Sequence, residues 1–137
     1  MDSKLSQLYQ GIIMQHNNEP FHFEKRATAQ HVIEAYNPLC GDKFKLFLDI
    51  ENGVVTQATF HGYGCAISKA STSVLMKKIQ GQPLSKIADL VSDYFKIIKN
   101  TSENTDEELT AFAVAKDFPG RLKCATLAWD AMNEFIN

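Results

Sequence analysis

Between Asp42 and Tyr63, apolar and polar positions alternate along the chain, which is the pattern of strands with one buried face. The apolar positions of the first half are Phe44, Leu46, Leu48 and Ile50. Asn52-Gly53 follows at once, the dipeptide that best fits a two-residue type I′ turn, and a β-branched and aromatic run resumes after it. The pattern therefore predicts an antiparallel hairpin.

Outside the hairpin the apolar spacing is mostly helical. We predict a short first helix within Leu5–Gln15 and a second helix from about Ser68, stopped by Gly81 and Pro83. One or two further short helices follow, with Pro83 suited to the first helical position. The stretch before the hairpin has mixed polarity, so it is predicted as a loop with either a short strand or a helical turn near His31–Tyr36.

The last third of the chain predicts two more helix starts. Thr105 and Glu108 have the spacing of a capping box, and the acidic run around them is interpreted as solvated charge. A final helix follows Pro119-Gly120, with inward positions at Leu122, Ala125, Trp129, Met132 and Ile136. Residues 1–137 are therefore expected to form a single α+β domain, a small antiparallel sheet packed with several α-helices.

Length and charge narrow the classes of function. The chain has 137 residues, 45% of them hydrophobic, so it can bury a core. Its net charge is −2, from 14 basic and 16 acidic residues, which supplies no overall positive field for nucleic acid or an anionic membrane. No stretch fits a signal peptide or a membrane span, so we expect a cytoplasmic protein.

The chain has three cysteines, Cys40, Cys65 and Cys124. An odd number in a reducing compartment argues against a disulfide framework and leaves buried thiols, a reactive thiol or metal ligands. On the count alone, ordinary buried cysteines are the favoured interpretation. Their placement changes that, because each lies at the boundary of a predicted element.

The hairpin couples two of these thiols. Cys40 precedes its first strand and Cys65 follows its second, so both belong at its open end. Cys124 lies in an early turn of the last helix, a position that permits but does not prove a place beside them. Helix N-termini lower thiol pKa values, and Arg121 and Lys123 would add to that effect near Cys124.

Asp42 supplies a fourth ligand type beside Cys40. Three sulfurs and one carboxylate oxygen would complete the tetrahedral shell that zinc prefers, although a carboxylate is an uncommon partner in a closed structural site. Such a shell would exchange a ligand more easily than one built of four thiolates. The alternative for Asp42 is a turn residue that bonds its own backbone.

Three motifs carry a resemblance to a known family. NPLCGD, GYGCAISKAST and RLKCATLAWDAM each hold one cysteine, and together they resemble the IscU/NifU-like iron-sulfur cluster assembly proteins, most closely their SUF-system branch, SufU. IscU-type proteins have a histidine before the third cysteine, where this chain has Lys123. The segment between Cys65 and Cys124 is also longer than in typical IscU proteins, which agrees with the SufU branch.

The resemblance implies an IscU/SufU-like fold and a zinc-dependent sulfurtransferase. Cys40, Asp42, Cys65 and Cys124 match the family's zinc ligands, and Cys40 matches the cysteine that accepts sulfur. The implied partners are a SufS-type, pyridoxal-phosphate-dependent cysteine desulfurase, which donates persulfide sulfur, and the downstream SUF cluster-assembly machinery. Arg121 resembles an arginine of the branch motif near the site.

Two other functions remain open at this point. One is a scaffold that assembles an iron-sulfur cluster on the same cysteines, a binding role rather than an enzymatic one. The other is a structural zinc domain that docks on a partner. The four histidines, His16, His22, His31 and His61, have no ligand spacing and are not expected to bind metal.

Overall fold

Three strands and five α-helices make up the part of the chain that the structure describes. This computed structural model describes residues 3–137, without the side chains of residues 3–6, 8, 116 and 119. In chain order the elements are α1 (Ser3–Asn18), β1 (His31–Asn37), β2 (Asp42–Glu51), β3 (Val54–Tyr63), α2 (Ala66–Ile79), α3 (Leu84–Ile98), α4 (Glu107–Thr110), a 3₁₀ helix (Ala111–Asp117) and α5 (Pro119–Ile136). The predicted α+β class is confirmed. Residues 1 and 2 of the predicted domain, and the side chains of the predicted helix residues Leu5 and Leu8, lie outside the described part.

The sheet is antiparallel with the strand order β1-β2-β3. Asn52 and Gly53 join β2 to β3 with φ values of +51° and +75°, the two positive angles that a type I′ turn requires. The predicted hairpin is therefore confirmed. A bulge between Asp49 and Ile50 shifts the register near the turn.

The first strand is where the sequence prediction was indefinite. Residues 31–37 form β1, which pairs with β2 over its whole length from His31 opposite Leu48 to Asn37 opposite Asp42. Ala35 is the buried residue of this strand, at 2% exposure. Because β1 has few large inward side chains, its local pattern is weak, and pairing with β2 decides its conformation.

The core lies between the inner face of the sheet and the helices α2 and α5. Trp129 of α5 stacks on Tyr94 of α3, with ring centroids 3.8 Å apart. The Ser71 hydroxyl of α2 donates to the carbonyl oxygen of Ala125 at 2.6 Å and accepts from Trp129 Nε1 at 3.0 Å. The Tyr94 hydroxyl donates to the same carbonyl at 2.6 Å. Burial raises the pKa of Tyr94 above its usual value, so the phenol remains a donor.

The predicted inward face of α5 needs one correction. Ala125, Trp129 and Met132 are buried and Ile136 is half-buried, as its period predicted, but Leu122 is 37% exposed. α5 begins at Pro119, so Leu122 lies in its first turn, beyond the edge of the core. Among the helices of residues 3–137, none is both long and apolar enough to span a bilayer.

Two predicted helix starts lie elsewhere than expected. α2 begins at Ala66 with Cys65 as its N-cap, rather than at Ser68. α3 is one continuous helix in which Pro83 is the N-cap, not the first helical residue. α2 therefore starts about two residues earlier than its apolar pattern indicated, and α3 starts one residue later.

The predicted capping box near residue 105 is also wrong. Asp106, not Thr105, is the N-cap of α4, and its carboxylate accepts from the backbone N–H groups of Glu108 at 2.9 Å and Leu109 at 3.3 Å. The helix is only 4 residues long before the 3₁₀ segment takes over. A neighbouring Asp competes well with Thr for an N-cap, which explains the one-residue shift.

Glu108 is not the solvated charge that the acidic run suggested. Its carboxylate bonds His16 Nε2 at 2.6 Å and Lys77 Nζ at 2.9 Å, and Lys78 Nζ lies 3.2 Å away. His16 Nδ1 lies 2.7 Å from the Ser73 hydroxyl, so the network joins α1, α2 and α4. Partial burial favours the neutral acid, but the hydrogen bonds from Lys77, His16 and Lys78 outweigh it and lower the pKa of Glu108 to about 2.

Glu108→Gln should lower the free energy of unfolding by about 1–2 kcal/mol at pH 7, because several partly buried charged contacts are lost. The folded pKa is below the unfolded one, so this contribution is complete above about pH 4.5 and declines as the pH falls towards 2. Urea unfolding of wild type and variant from pH 7 to pH 3, in EDTA so that bound metal adds no pH dependence, measures it.

The neighbouring exposed Glu107 provides the matched control. Glu107→Gln should change stability by less than about 0.5 kcal/mol at every pH. Equal effects of the two substitutions would contradict the assignment of the network to Glu108.

Candidate metal centre

The three cysteines and Asp42 meet at one end of the sheet, where β2 begins and β3 ends. Cys40 lies in the loop between β1 and β2, and Asp42 is the first residue of β2. Cys65 directly precedes α2, and Cys124 lies in the second turn of α5. Two strand ends and two helix starts therefore hold the site.

The loop before β2 separates Cys40 from Asp42. The Gly41 N–H donates to the carbonyl of Asn37 at 2.8 Å, and the side-chain oxygen of Asn37 accepts from the Leu39 N–H at 3.1 Å. Gly41 has φ of +77°, a conformation that glycine adopts without strain. The turn leaves Cys40 exposed while Asp42, at 4% exposure, is buried.

Asp42 is directed away from its own turn. Its Oδ1 accepts a hydrogen bond from the backbone N–H of Cys65 at 3.1 Å, and its Oδ2 lies 3.9 Å from Cys65 Sγ. The alternative in which Asp42 bonds the turn backbone therefore does not describe it, because Asn37 has that role. The carboxylate instead connects the start of β2 to the start of α2.

Cys40, Asp42 and Cys124 each place one ligand atom within 4.8 Å of the other two. Cys65 is not one of these three, although its Sγ lies 3.9 Å from Asp42 Oδ2. Ligands of a tetrahedral zinc with bond lengths of about 2.0–2.3 Å lie about 3.5–3.8 Å apart, so the group would contract by about 1 Å around an ion. The donor set, thiolates with one carboxylate, fits zinc in chemistry and in spacing.

Ser68 is the neighbour of Cys65 whose role the sequence did not indicate. Its backbone N–H lies 3.5 Å from Cys65 Sγ, and its hydroxyl lies 3.6 Å from the same atom. Cys65 is therefore the N-cap of α2, and Ser68 is the donor to it. A cysteine three residues before a serine at a helix start is the only signal that would have indicated this.

The two inner thiols differ in their acidity. Burial opposes ionisation of Cys65, but hydrogen bonds from Ser68 and from the Cys124 thiol outweigh it, so the pKa of Cys65 lies below its usual value. Burial and the hydrogen bonds and negative charges of Cys65 and Asp42 raise the pKa of Cys124 well above its usual value. In the metal-free site Cys65 is therefore the stronger acid and Cys124 the thiol that donates to it.

Arg121 and Lys123 lie in different places. A hydrogen bond to Cys124 and the negative charge of Cys65 raise the pKa of the Arg121 guanidinium, which therefore stands beside these two thiols. The Lys123 side chain is 72% exposed and its Nζ lies 3.8 Å from Asp130. Arg121 is thus placed to offset the negative charge of the site, and Lys123 points along the surface of α5.

The histidines lie apart from the group. His16 belongs to the Glu108 network, His22 Nδ1 lies 3.2 Å from the carbonyl of Ala58, and His61 packs on the ring of Phe23 with centroids 4.7 Å apart. His31 packs on another aromatic ring, at 5.2 Å. The candidate ligands within residues 3–137 are therefore cysteine and aspartate.

The chain is similar in sequence to known proteins. Residues 8–137 match the family described as the NifU-like N-terminal domain. A Thermotoga maritima protein named iron-sulfur cluster assembly scaffold protein IscU is 34% identical over 133 residues, which covers 94% of this chain and 92% of that protein. A Bacillus subtilis protein named zinc-dependent sulfurtransferase SufU is 31% identical over 139 residues, with 98% and 93% coverage.

The fold is similar to solved structures as well. A crystal structure from Fervidobacterium islandicum, described as a SUF-system iron-sulfur cluster assembly scaffold protein, superposes with a TM-score of 0.86 at 25% identity. The match covers 96% of this chain and 98% of that one. The three-stranded sheet and its helices therefore belong to the IscU/SufU type of fold.

Two glycines near the site should differ in their tolerance of alanine. At Gly62, with φ of +149°, a Cβ would lie 2.1 Å from the Lys43 carbonyl oxygen, whereas at Gly41 nothing lies within 4 Å. Gly41→Ala should cost about 1 kcal/mol of backbone strain, and Gly62→Ala about 3 kcal/mol because β2 and β3 must separate. Urea unfolding in EDTA measures both, and equal costs would contradict the close approach of the strands.

Proposed function

Since the chain belongs to the NifU-like N-terminal domain family of iron-sulfur cluster assembly proteins, we propose that it is a zinc-dependent sulfurtransferase within that process. The observation that carries the proposal is the meeting of the exposed Cys40 thiol with the buried ligand atoms of Asp42 and Cys124. A site of this kind combines ligands held firmly in buried positions with one thiol that a partner protein can reach.

In this proposal Cys40, Asp42, Cys65 and Cys124 hold one zinc ion. Zinc, when bound, supplies a divalent charge that keeps thiolates deprotonated and exchanges no electrons. Cys124 and Asp42 are held by α5 and β2, so they form the rigid part of the shell. Arg121 offsets the remaining negative charge of three thiolates and a carboxylate.

Cys40 carries the transferred sulfur. Its thiolate attacks the terminal sulfur of a protonated persulfide on the partner, a new S–S bond forms at Cys40 Sγ, and the bond between that sulfur and the partner's cysteine breaks. The partner leaves as a thiolate, and the proton stays with the transferred sulfur. The two sides of the step therefore have equal atoms, charge and electrons, and no oxidant is needed.

The partner that supplies the persulfide is a cysteine desulfurase, for which we propose the pyridoxal-phosphate-dependent SufS type. The name of the Bacillus subtilis relative, a zinc-dependent sulfurtransferase, supports this assignment. The sulfur would pass on to the downstream SUF cluster-assembly machinery. We place the reaction in the cytoplasm.

A second candidate function is that of a scaffold on which an iron-sulfur cluster forms. The Thermotoga maritima and Fervidobacterium islandicum relatives are both described as scaffold proteins, and their similarity covers 94% and 96% of this chain. The same cysteines would then hold a cluster. Lys123, in the position where IscU-type proteins have a histidine, favours the sulfurtransferase.

Cys40→Ser should abolish sulfur acceptance while the protein stays folded, because Cys40 lies in an exposed loop. Native mass spectra are recorded before and after incubation with the desulfurase and free cysteine. Wild type should show one bound zinc and should gain one sulfur, about 32 Da, which the Cys40→Ser variant should not gain. Glu107→Gln, an exposed change on α4, serves as the control. Added sulfur on the Cys40→Ser variant would contradict the assigned acceptor, and iron with sulfide on wild type would favour the scaffold.

Removal of metal should lower stability, and the four ligands should differ in their contribution. EDTA should reduce the melting temperature of wild type by roughly 10 °C or more, since metal binding adds to the folding free energy. Cys124→Ser should lose most of that metal stabilisation and Cys40→Ser less, because Cys124 is buried and Cys40 is not. Calorimetric scans with one equivalent of zinc or with EDTA measure this. If both variants lost the same amount of metal stabilisation and wild type transferred no sulfur, the result would instead indicate a structural zinc domain.

A further inference from the structure

A hollow of about 300 Å³ lies on the outer face of the sheet, opposite the core. It is lined by Lys25, Ala27, Val32, Lys45, Phe47 and His61, none of them acidic. In the strand register Lys45 faces His61, and Val32 faces Phe47, so a lysine lies beside an apolar pair. The hollow is therefore suited to a carboxylate with an apolar neighbour.

A row of large exposed side chains continues the hollow towards the thiols. Lys43 lies two residues nearer the start of β2 than Lys45. It faces Tyr36 on one side and Tyr63 on the other. The tyrosines are 55% and 65% exposed, and Lys43 Nζ lies 5.8 Å from the ring centroid of Tyr36. Tyrosines are enriched at protein interfaces.

The charge of this face differs from that of the whole molecule. The chain carries −2, yet Lys25, Lys43 and Lys45 are clustered here, with Glu34, 3.9 Å from Lys43, as the acidic residue paired among them. We call the hollow together with the row of Tyr36, Lys43 and Tyr63 the cationic sheet face. Three lysines around an apolar surface fit an acidic protein patch better than a nucleic acid, whose binding depends on many phosphate contacts.

The cationic sheet face lies within one interface width of the sulfur-accepting thiol. Lys45 is three residues from Asp42 along β2, or about 10 Å at about 3.3 Å per residue. A standard interface covers about 800 Å² per partner, a patch about 30 Å across, so a single partner would cover both places. Leu39, 94% exposed beside Cys40, extends the apolar surface to the thiol itself.

We propose that the cationic sheet face docks an acidic, partly apolar surface of the cysteine desulfurase and so holds that partner with its persulfide over Cys40. The identity of the partner rests on the proposed function. The partner's carboxylates pair with Lys25 and Lys45, and its apolar side chains cover Val32, which is 51% exposed. The charges speed and orient the encounter, while Cys40 performs the transfer.

The test compares two double variants with the same change in charge. Lys25→Glu/Lys45→Glu reverses the cationic sheet face, and Lys86→Glu/Lys99→Glu is the control, at exposed positions at either end of α3, whose main packing partners are α5, α4 and the 3₁₀ helix. Titration calorimetry with the purified desulfurase gives Kd at about 50 mM and about 300 mM salt. The desulfurase assay gives the concentration of each variant for half-maximal stimulation, and the rate at saturation.

Charge reversal on the cationic sheet face should weaken binding to the desulfurase at least tenfold at low salt, and the control variant should weaken it less than twofold. The difference should shrink at high salt, and the saturated rate of transfer should stay within twofold of wild type. Lys25→Gln/Lys45→Gln should weaken binding about threefold, and melting curves verify that each variant is folded. Equal effects of the two charge reversals, or none, would overturn the docking surface.

The two proposals can fail separately. If wild type binds the desulfurase through Lys25 and Lys45 but gains no sulfur, the docking surface stands and the sulfurtransferase fails. If sulfur transfer persists with unchanged Kd in the reversed variant, the docking surface alone fails. If the reversal instead abolishes binding to a single-stranded oligonucleotide probe and leaves the Kd for the desulfurase unchanged, the docking surface also fails.

Discussion

The buried carboxylate of Asp42 is the constraint on which the site depends. A carboxylate at 4% exposure must have its charge compensated by donors or by a cation. The Cys65 N–H donates to Asp42 Oδ1 at 3.1 Å, and the other groups near the carboxylate are thiols, which are weak donors. A metal ion would supply further compensation, and Arg121 would offset the residual charge beside the thiols.

The core determines where two of the thiols lie. Cys124 directly precedes Ala125, whose carbonyl oxygen accepts hydrogen bonds from both Ser71 and Tyr94. These bonds fix the start of α5 relative to α2, the helix that Cys65 caps. Because the bonded groups are fully buried, movement of either helix would leave a polar group without a partner. The geometry of the inner thiols is therefore a consequence of core packing, and local loop structure contributes little to it.

Sequence alone was sufficient where one local rule dominated. Strict alternation and Asn52-Gly53 defined the hairpin, and the hairpin brought Cys40 and Cys65 to the same end of the sheet. The family resemblance was needed to add Cys124, because no local pattern specifies which helix start packs beside a strand end. Where two neighbouring residues could serve as one cap, as Asp106 and Thr105 could, the sequence pattern did not distinguish them.

Long-range contacts explain the other differences between prediction and structure. Pairing with β2 made residues 31–37 a strand, although their own pattern is weak. Glu108 appears solvated in sequence because its partners His16 and Lys77 are 92 and 31 residues away. Leu122 has the helical period of a buried residue, but the core ends before the first turn of α5. In each case the deciding neighbour is remote in sequence.

The four candidate ligands differ in what it costs to move them. Displacing Asp42 would disrupt β2 and its bond to Cys65, and displacing Cys124 would disturb the buried start of α5. Cys40 lies outside the strand ladder, in a turn held by the two hydrogen bonds to Asn37. It is therefore the ligand that can leave a metal ion at the lowest cost, and it is also the exposed one. A closed structural site would gain nothing from this asymmetry, whereas a thiol that must alternate between metal and incoming sulfur requires it.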